Sequence, residues 1–161
     1  AGYEDVAATF ADVNGDGAPD LYVVSGGCAE VRAEAYQDRL YLNDGTGQFT
    51  AATDRLPAIE SSGGTVAAHD YDDDGDTDLF VGGRVRAVGY PLAPRSYLLE
   101  NTGGRFRDAT PEALRRPGMV ADARWADLAG SPAPELLLAG EWMPLRAFGR
   151  DDDGLDRKSV V

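Results

Sequence analysis

Asp70-Tyr71-Asp72-Asp73-Asp74-Gly75-Asp76-Thr77-Asp78 runs directly into Leu79-Phe80-Val81-Gly82-Gly83. Carboxylates stand at positions 1, 3, 5 and 9 of this stretch, with Gly75 at position 6. Acids packed so closely repel one another and destabilise a loop unless a cation lies among them. Alternate residues of a tight loop can turn their oxygens toward one centre, and a glycine permits the φ > 0 turn that wraps the chain around it. Calcium takes about six to eight oxygen ligands at roughly 2.3–2.6 Å, from carboxylates, carbonyls and water. The stretch therefore reads as a calcium loop leading into an apolar β-strand.

The pattern occurs three times. Asp12-Val13-Asn14-Gly15-Asp16-Gly17-Ala18-Pro19-Asp20 runs into Leu21-Tyr22-Val23-Val24-Ser25. Asp12, Asn14, Asp16, Gly17 and Asp20 precede Asp70, Asp72, Asp74, Gly75 and Asp78 by 58 residues each. A worn copy, Asp127-Leu128-Ala129-Gly130-Ser131-Pro132-Ala133-Pro134-Glu135, lies 57 residues beyond the central one and has lost most of its ligands, so it is expected to be empty. A solvated acidic turn does not repeat with its glycine and its Asp-Leu ending in place. Asp151-Asp152-Asp153-Gly154 is acidic too, but it falls where a hairpin turn belongs and reads as one.

An EF-hand is excluded. It needs a bidentate Glu at position 12 and flanking helices, whereas position 12 is Val23 in one copy and Val81 in the other, each inside a β-type run. The two intact stretches resemble the FG-GAP (VCBS-type) repeat of integrin-α-like β-propellers. That resemblance implies two structural calcium ions per chain. Side chains of Asp12, Asn14, Asp16 and Asp20, with the backbone carbonyl of Ala18, would hold one. Asp70, Asp72, Asp74 and Asp78, with the carbonyl of Asp76, would hold the other. It also implies a secreted or cell-surface binding scaffold of the adhesion type, with a protein or glycan ligand and no catalytic residues. The rival reading is part of a carbohydrate-active or other hydrolytic propeller working through paired carboxylates, yet the metal loops already account for nearly all the clustered acids.

The rest of the chain follows the same period. Strands are expected at Ala7 to Asp12, Asp20 to Ser25, Arg39 to Asn43 and Gln48 to Ala52. The second unit repeats them at Thr65 to Asp70, Asp78 to Gly82, Ser96 to Glu100 and Arg105 to Ala109, and the third at Val120 to Asp127, Glu135 to Gly140, Leu145 to Gly149 and Leu155 to Val160. The apolar run of Asp20 to Ser25 reads as buried on both faces. Four strands per ~57 residues is the anatomy of a propeller blade, and WD40 and kelch units are shorter. The expectation is an all-β β-propeller segment of three four-stranded blades, over residues 1–60, 61–116 and 117–161.

The net charge of −13 is largely a metal-binding signal, because Asp12, Asp16, Asp20, Asp70, Asp72, Asp74 and Asp78 supply seven of the negative charges. There is no basic stripe to neutralise phosphates, which argues against nucleic acid, and no run approaches the ~20 apolar residues of a membrane span. Cys28 is the lone cysteine, so no internal disulfide forms. His69 is read as structural, and Trp125 and Trp142 as packing between blades. Three blades are too few for a ring, which has roughly four to eight. An open arc would leave an apolar side on its first and last blades. The expected partner is a second copy completing a six-bladed ring, or further blades of a longer parent chain.

Overall fold

A computed structural model of the chain describes residues 3–29, 32–86, 89–128, 133–151 and 154–158. Its strands form three four-stranded antiparallel sheets, and each sheet is built from strands consecutive in sequence. The first holds β1 (Asp5–Ala11), β2 (Asp20–Ser25), β3 (Arg39–Asn43) and β4 (Phe49–Ala51). The second holds β5 (Gly63–His69), β6 (Asp78–Gly83), β7 (Tyr97–Thr102) and β8 (Arg105–Asp108). The third holds β9 (Met119–Ala126), β10 (Glu135–Glu141), β11 (Arg146–Asp151) and β12 (Gly154–Lys158). A four-residue helix α1 (Glu112–Arg115) and two 3-10 turns, Ala33–Tyr36 and Thr53–Arg55, lie in the connections.

The sheets stack in chain order, with the first strands β1, β5 and β9 side by side. Gly26 forms an isolated parallel bridge to Gly63. A Cβ on Gly63 would collide with Val24, so this junction of the first two sheets requires glycine. One core cluster lies between the first and second sheets and joins Tyr22, Val24 and Leu40 to Leu79, Val81, Tyr97 and Leu99. The other lies between the second and third and joins Ala67, Phe80 and Leu98 to Ala123, Leu136, Leu138 and Phe148. Successive residues of a strand face opposite ways, so Phe80 fills one cluster while Leu79 and Val81 fill the other. All six residues of β6 are buried, as a strand between two layers demands.

Two expectations need correction here. β2 is not buried on both faces, because Leu21 and Val23 are only half covered. Among the described residues the first sheet has a neighbouring sheet on one side only. Its other face carries Phe10, Leu21, Tyr41 and Ala51 opposite one another across β1 to β4. Phe10 is 63% exposed, and its ring lies 6.3 Å from that of Phe49. This end is apolar, as expected, but the far end is not. The free face of the third sheet presents Asp122, Arg124, Ala139, Asp156 and Lys158 around Leu137. Arg124 lies 3.5 Å from Asp122, and charge there keeps the face wetted.

Candidate metal centre

Each acidic loop links the first strand of a sheet to the second. In the central loop the Asp70, Asp72 and Asp78 carboxylates converge, with one oxygen of each within 4.8 Å of the others. The backbone explains why. Asp70 accepts from the amides of Asp74 and Gly75 at 3.1 and 3.0 Å, which curls the loop back over its first residue. The curl needs left-handed residues at positions 4 and 6. Asp73 takes φ 62° and Gly75 φ 96°, and in the first loop Gly15 and Gly17 take 73° and 85°. Aspartate is among the few side chains that tolerate this region.

Asp78 anchors the other end. It is 1% exposed and accepts through both oxygens, from Tyr71 N at 3.1 Å and Asn101 N at 2.8 Å. Burial pushes its carboxyl up to about 7 against these two hydrogen bonds, and the charges of Asp72 and Asp74 push the same way. Burial, then the neighbouring charges of Asp74, Glu100 and Asp70, also raises Asp72. Arg150 pairs with exposed Asp73 of the same loop at 2.8 Å, and Arg107 is committed to Glu100 at 2.5 Å. Three converging carboxylates with no ion pair among the described residues fit a hard divalent cation with oxygen ligands. Of the expected side-chain ligands, Asp74 stands outside this cluster and caps the amide of Asp76 at 2.8 Å. The Asp76 side chain itself accepts from Gly103 N at 2.8 Å.

The first loop repeats this wiring. Asp12 accepts from Gly15, Asp16 and Gly17 amides at 2.8, 3.2 and 2.7 Å. Asp20 accepts from Val13 N at 3.0 Å and Asn43 N at 2.8 Å. Asp16 caps Ala18 N at 2.8 Å, and its other oxygen accepts from the Asn14 amide at 2.8 Å. One fewer carboxylate makes this loop less self-repelling than the central one.

In the third loop residues 129–132 lie outside the described residues. Its ends retain one bond of the pattern, from Leu128 N to Glu135 at 3.1 Å. The other Glu135 oxygen accepts from the Lys158 ammonium at 2.9 Å, so a fixed cation already sits against this carboxylate. In Asp151-Asp152-Asp153-Gly154, positions 152 and 153 are likewise outside the described residues.

Two residues of the site are absent from the motif. Asn43 and Asn101, 58 residues apart, each stand near the end of a strand just before a hairpin turn and pin the loop of their own sheet. Their side chains donate to Pro19 O at 3.1 Å and Thr77 O at 3.0 Å. Asn101 also donates to Val13 O at 2.7 Å, which ties the first loop to the second sheet. The repeat of Asn at the unit's own period, ahead of a Gly-bearing turn in each copy, is the signal that could have found them. His69 stacks on Trp125 with ring centroids 5.0 Å apart, a structural contact between adjacent sheets. Trp142 does not pack between sheets. It sits in the turn after β10 at φ 56°, is 82% exposed, and donates from Nε1 to Tyr90 Oη at 2.8 Å.

These features define an all-β repeat whose acidic loops lie between paired strands. The family model of the FG-GAP-like repeat matches residues 12–81, from the first residue of the first loop to the strand after the second, and this stretch is FG-GAP-like repeat sequence. No curated protein matches the chain.

Proposed function

We propose that the chain is part of a calcium-stabilised β-propeller in which each sheet is one blade, acting as an extracellular binding scaffold and not as an enzyme. The observation that carries this reading is the convergence of Asp70, Asp72 and Asp78 on one centre within an FG-GAP-like repeat. The side-by-side first strands support the blade reading, since inner strands of a propeller surround its axis. Asp12, Asn14, Asp16, Asp20 and the Ala18 carbonyl hold one ion. Asp70, Asp72, Asp78 and the Asp76 carbonyl hold the other, with Asp74 turning in once the cation is present. Calcium is abundant outside cells, which is why this reading is extracellular. Among the described residues no helix is long and apolar enough to cross a membrane.

The two free faces bear on the partner. In a six-bladed ring of two copies, the apolar face around Phe10 would bury the charged face around Asp122 and Arg124. Burying charge without matched partners is costly. A further blade with an apolar face suits the first sheet better than a second copy does.

Melting in millimolar calcium and in chelator tests the metal. A ligand that binds only the native state stabilises by about 2.7 kcal/mol at 100 times its Kd, roughly 5–10 °C for a domain of this size. An unchanged melting curve would overturn the proposal.

A further inference from the structure

We infer that the end of the molecule opposite the acidic loops carries a binding site for an oxoanion. Two adjoining concavities of about 410 and 420 Å³ open there. Arg86, Arg95 and Arg116 line the first, and Arg95, Arg115 and Arg116 line the second. Four arginines thus line two concavities that share Arg95 and Arg116, in a chain whose net charge is −13. A single unpaired arginine on a surface is ordinary. Four that converge repel one another, in a protein with 28 acidic residues available to pair them.

The pairing is incomplete in a specific way. Arg95 bonds Asp108 at 2.5 Å and lies over the Tyr97 ring, 4.9 Å from its centroid, so its position is held. Its Nε is buried and finds no partner among the described residues. Arg115 pairs at 3.1 Å with Glu112, which also lines the second concavity and is largely exposed. Arg86 and Arg116 have no ion pair or hydrogen bond among the described residues. Glu60 lies on the same wall, yet its carboxylate pairs with no arginine among the described residues, and its backbone N–H is what it gives to Tyr97 Oη at 3.1 Å. The two concavities therefore share a held arginine, Arg95, with Arg86 and Arg116 beside it unpaired among the described residues.

Guanidinium forks match the paired oxygens of carboxylate, sulfate or phosphate. Each concavity falls in the lower part of the roughly 300–1,000 Å³ range of small-molecule sites. Tyr36 and Tyr97 add aromatic wall beside the charge. The ligand class is a small molecule bearing an oxoanion. A carboxylate on an acidic sugar and a free sulfate share that chemistry.

The test is a titration of the calcium-saturated chain, followed by backbone amide shifts, at constant ionic strength. The probes are sodium sulfate, a disaccharide containing one hexuronate, and its neutral counterpart. Saturable shifts at Arg95, Tyr97 and Arg116 with sulfate, hexuronate or both support the site. Sulfate alone defines an inorganic-oxoanion pocket, and hexuronate alone an acidic-sugar pocket. The double variant R86Q/R116Q should lose roughly tenfold or more in affinity, the scale of hydrogen bonds to a charged group. The variant R86K/R116K should lose less, and R124Q, on the far face of the third sheet, should lose nothing. Absence of saturable shifts with both anions overturns the inference. So does equal affinity in the wild type and R86Q/R116Q, or equal binding of the neutral sugar. Calcium dependence of melting is read separately in each variant, so a failed metal site and a failed oxoanion site are told apart.

Discussion

Asp72 and Asp78 look alike in the sequence but do different work. Asp78 is a buried staple with a backbone N–H on each oxygen, whereas Asp72 is crowded by like charge and contributes little to the fold without a cation. Asp78→Asn leaves one buried N–H facing an amide NH2. It should therefore lower stability by about 1–3 kcal/mol even in chelator. Asp72→Asn removes repulsion, so in chelator it should be neutral or slightly stabilising, while its gain on adding calcium should shrink. Urea unfolding of both variants with and without calcium checks this, and equal losses in chelator would contradict the division of roles. The acid positions were legible because ligand spacing within a short loop is local. Asn43 and Asn101 were less so, since each works on an aspartate 23 residues earlier and only the folded sheet brings them together.

The strands were legible almost throughout, because each follows a loop or turn signal that repeats with the unit. Their surroundings were not. β2 and β6 carry similar apolar runs, yet only β6 has a layer on each side. Trp142 was misplaced because hydrophobicity favours burial, while the tight link between β10 and β11 turns the indole outward. Equivalent sheets also solve one problem in two ways. Buried Asp38 accepts from Ser25 N and Tyr22 Oη, both at 2.7 Å. At the matching place in the second sheet, Ser96 Oγ accepts from Gly83 N at 3.0 Å, and Phe80 stands where Tyr22 does. Burial pushes the Asp38 carboxyl up from 3.8 to about 7, despite the bonds from Ser25 and Tyr22 that favour its charged form. As pH rises, the unfolded chain then releases this proton first. The stabilising contribution is complete below the usual carboxylate value and is lost between pH about 4 and about 7. In saturating calcium, the stability of Asp38→Asn relative to wild type should rise across that window. Parallel curves would show that Asp38 keeps the same charge in both states.

At the scale of the molecule, asymmetry is the main finding: one end face is apolar and the other charged. Contiguous exposed apolar surface marks an association site or an aggregation liability. The isolated chain should therefore associate through the Phe10 face, and Phe10→Lys should shift light scattering toward the monomer with little change in melting. A wild-type chain that is monomeric at micromolar concentration would contradict this. The charged far end was not legible from the repeat, because Asp122 and Arg124 replace Thr65 and Ala67 of the preceding unit only at that last, uncovered position. The central proposal is that the loops hold calcium. The direct measurement is a calorimetric calcium titration of the wild type beside Asp72→Ala. The account predicts two ions for the wild type and one for the variant, while a flat titration, or a stoichiometry that the substitution leaves unchanged, would contradict it.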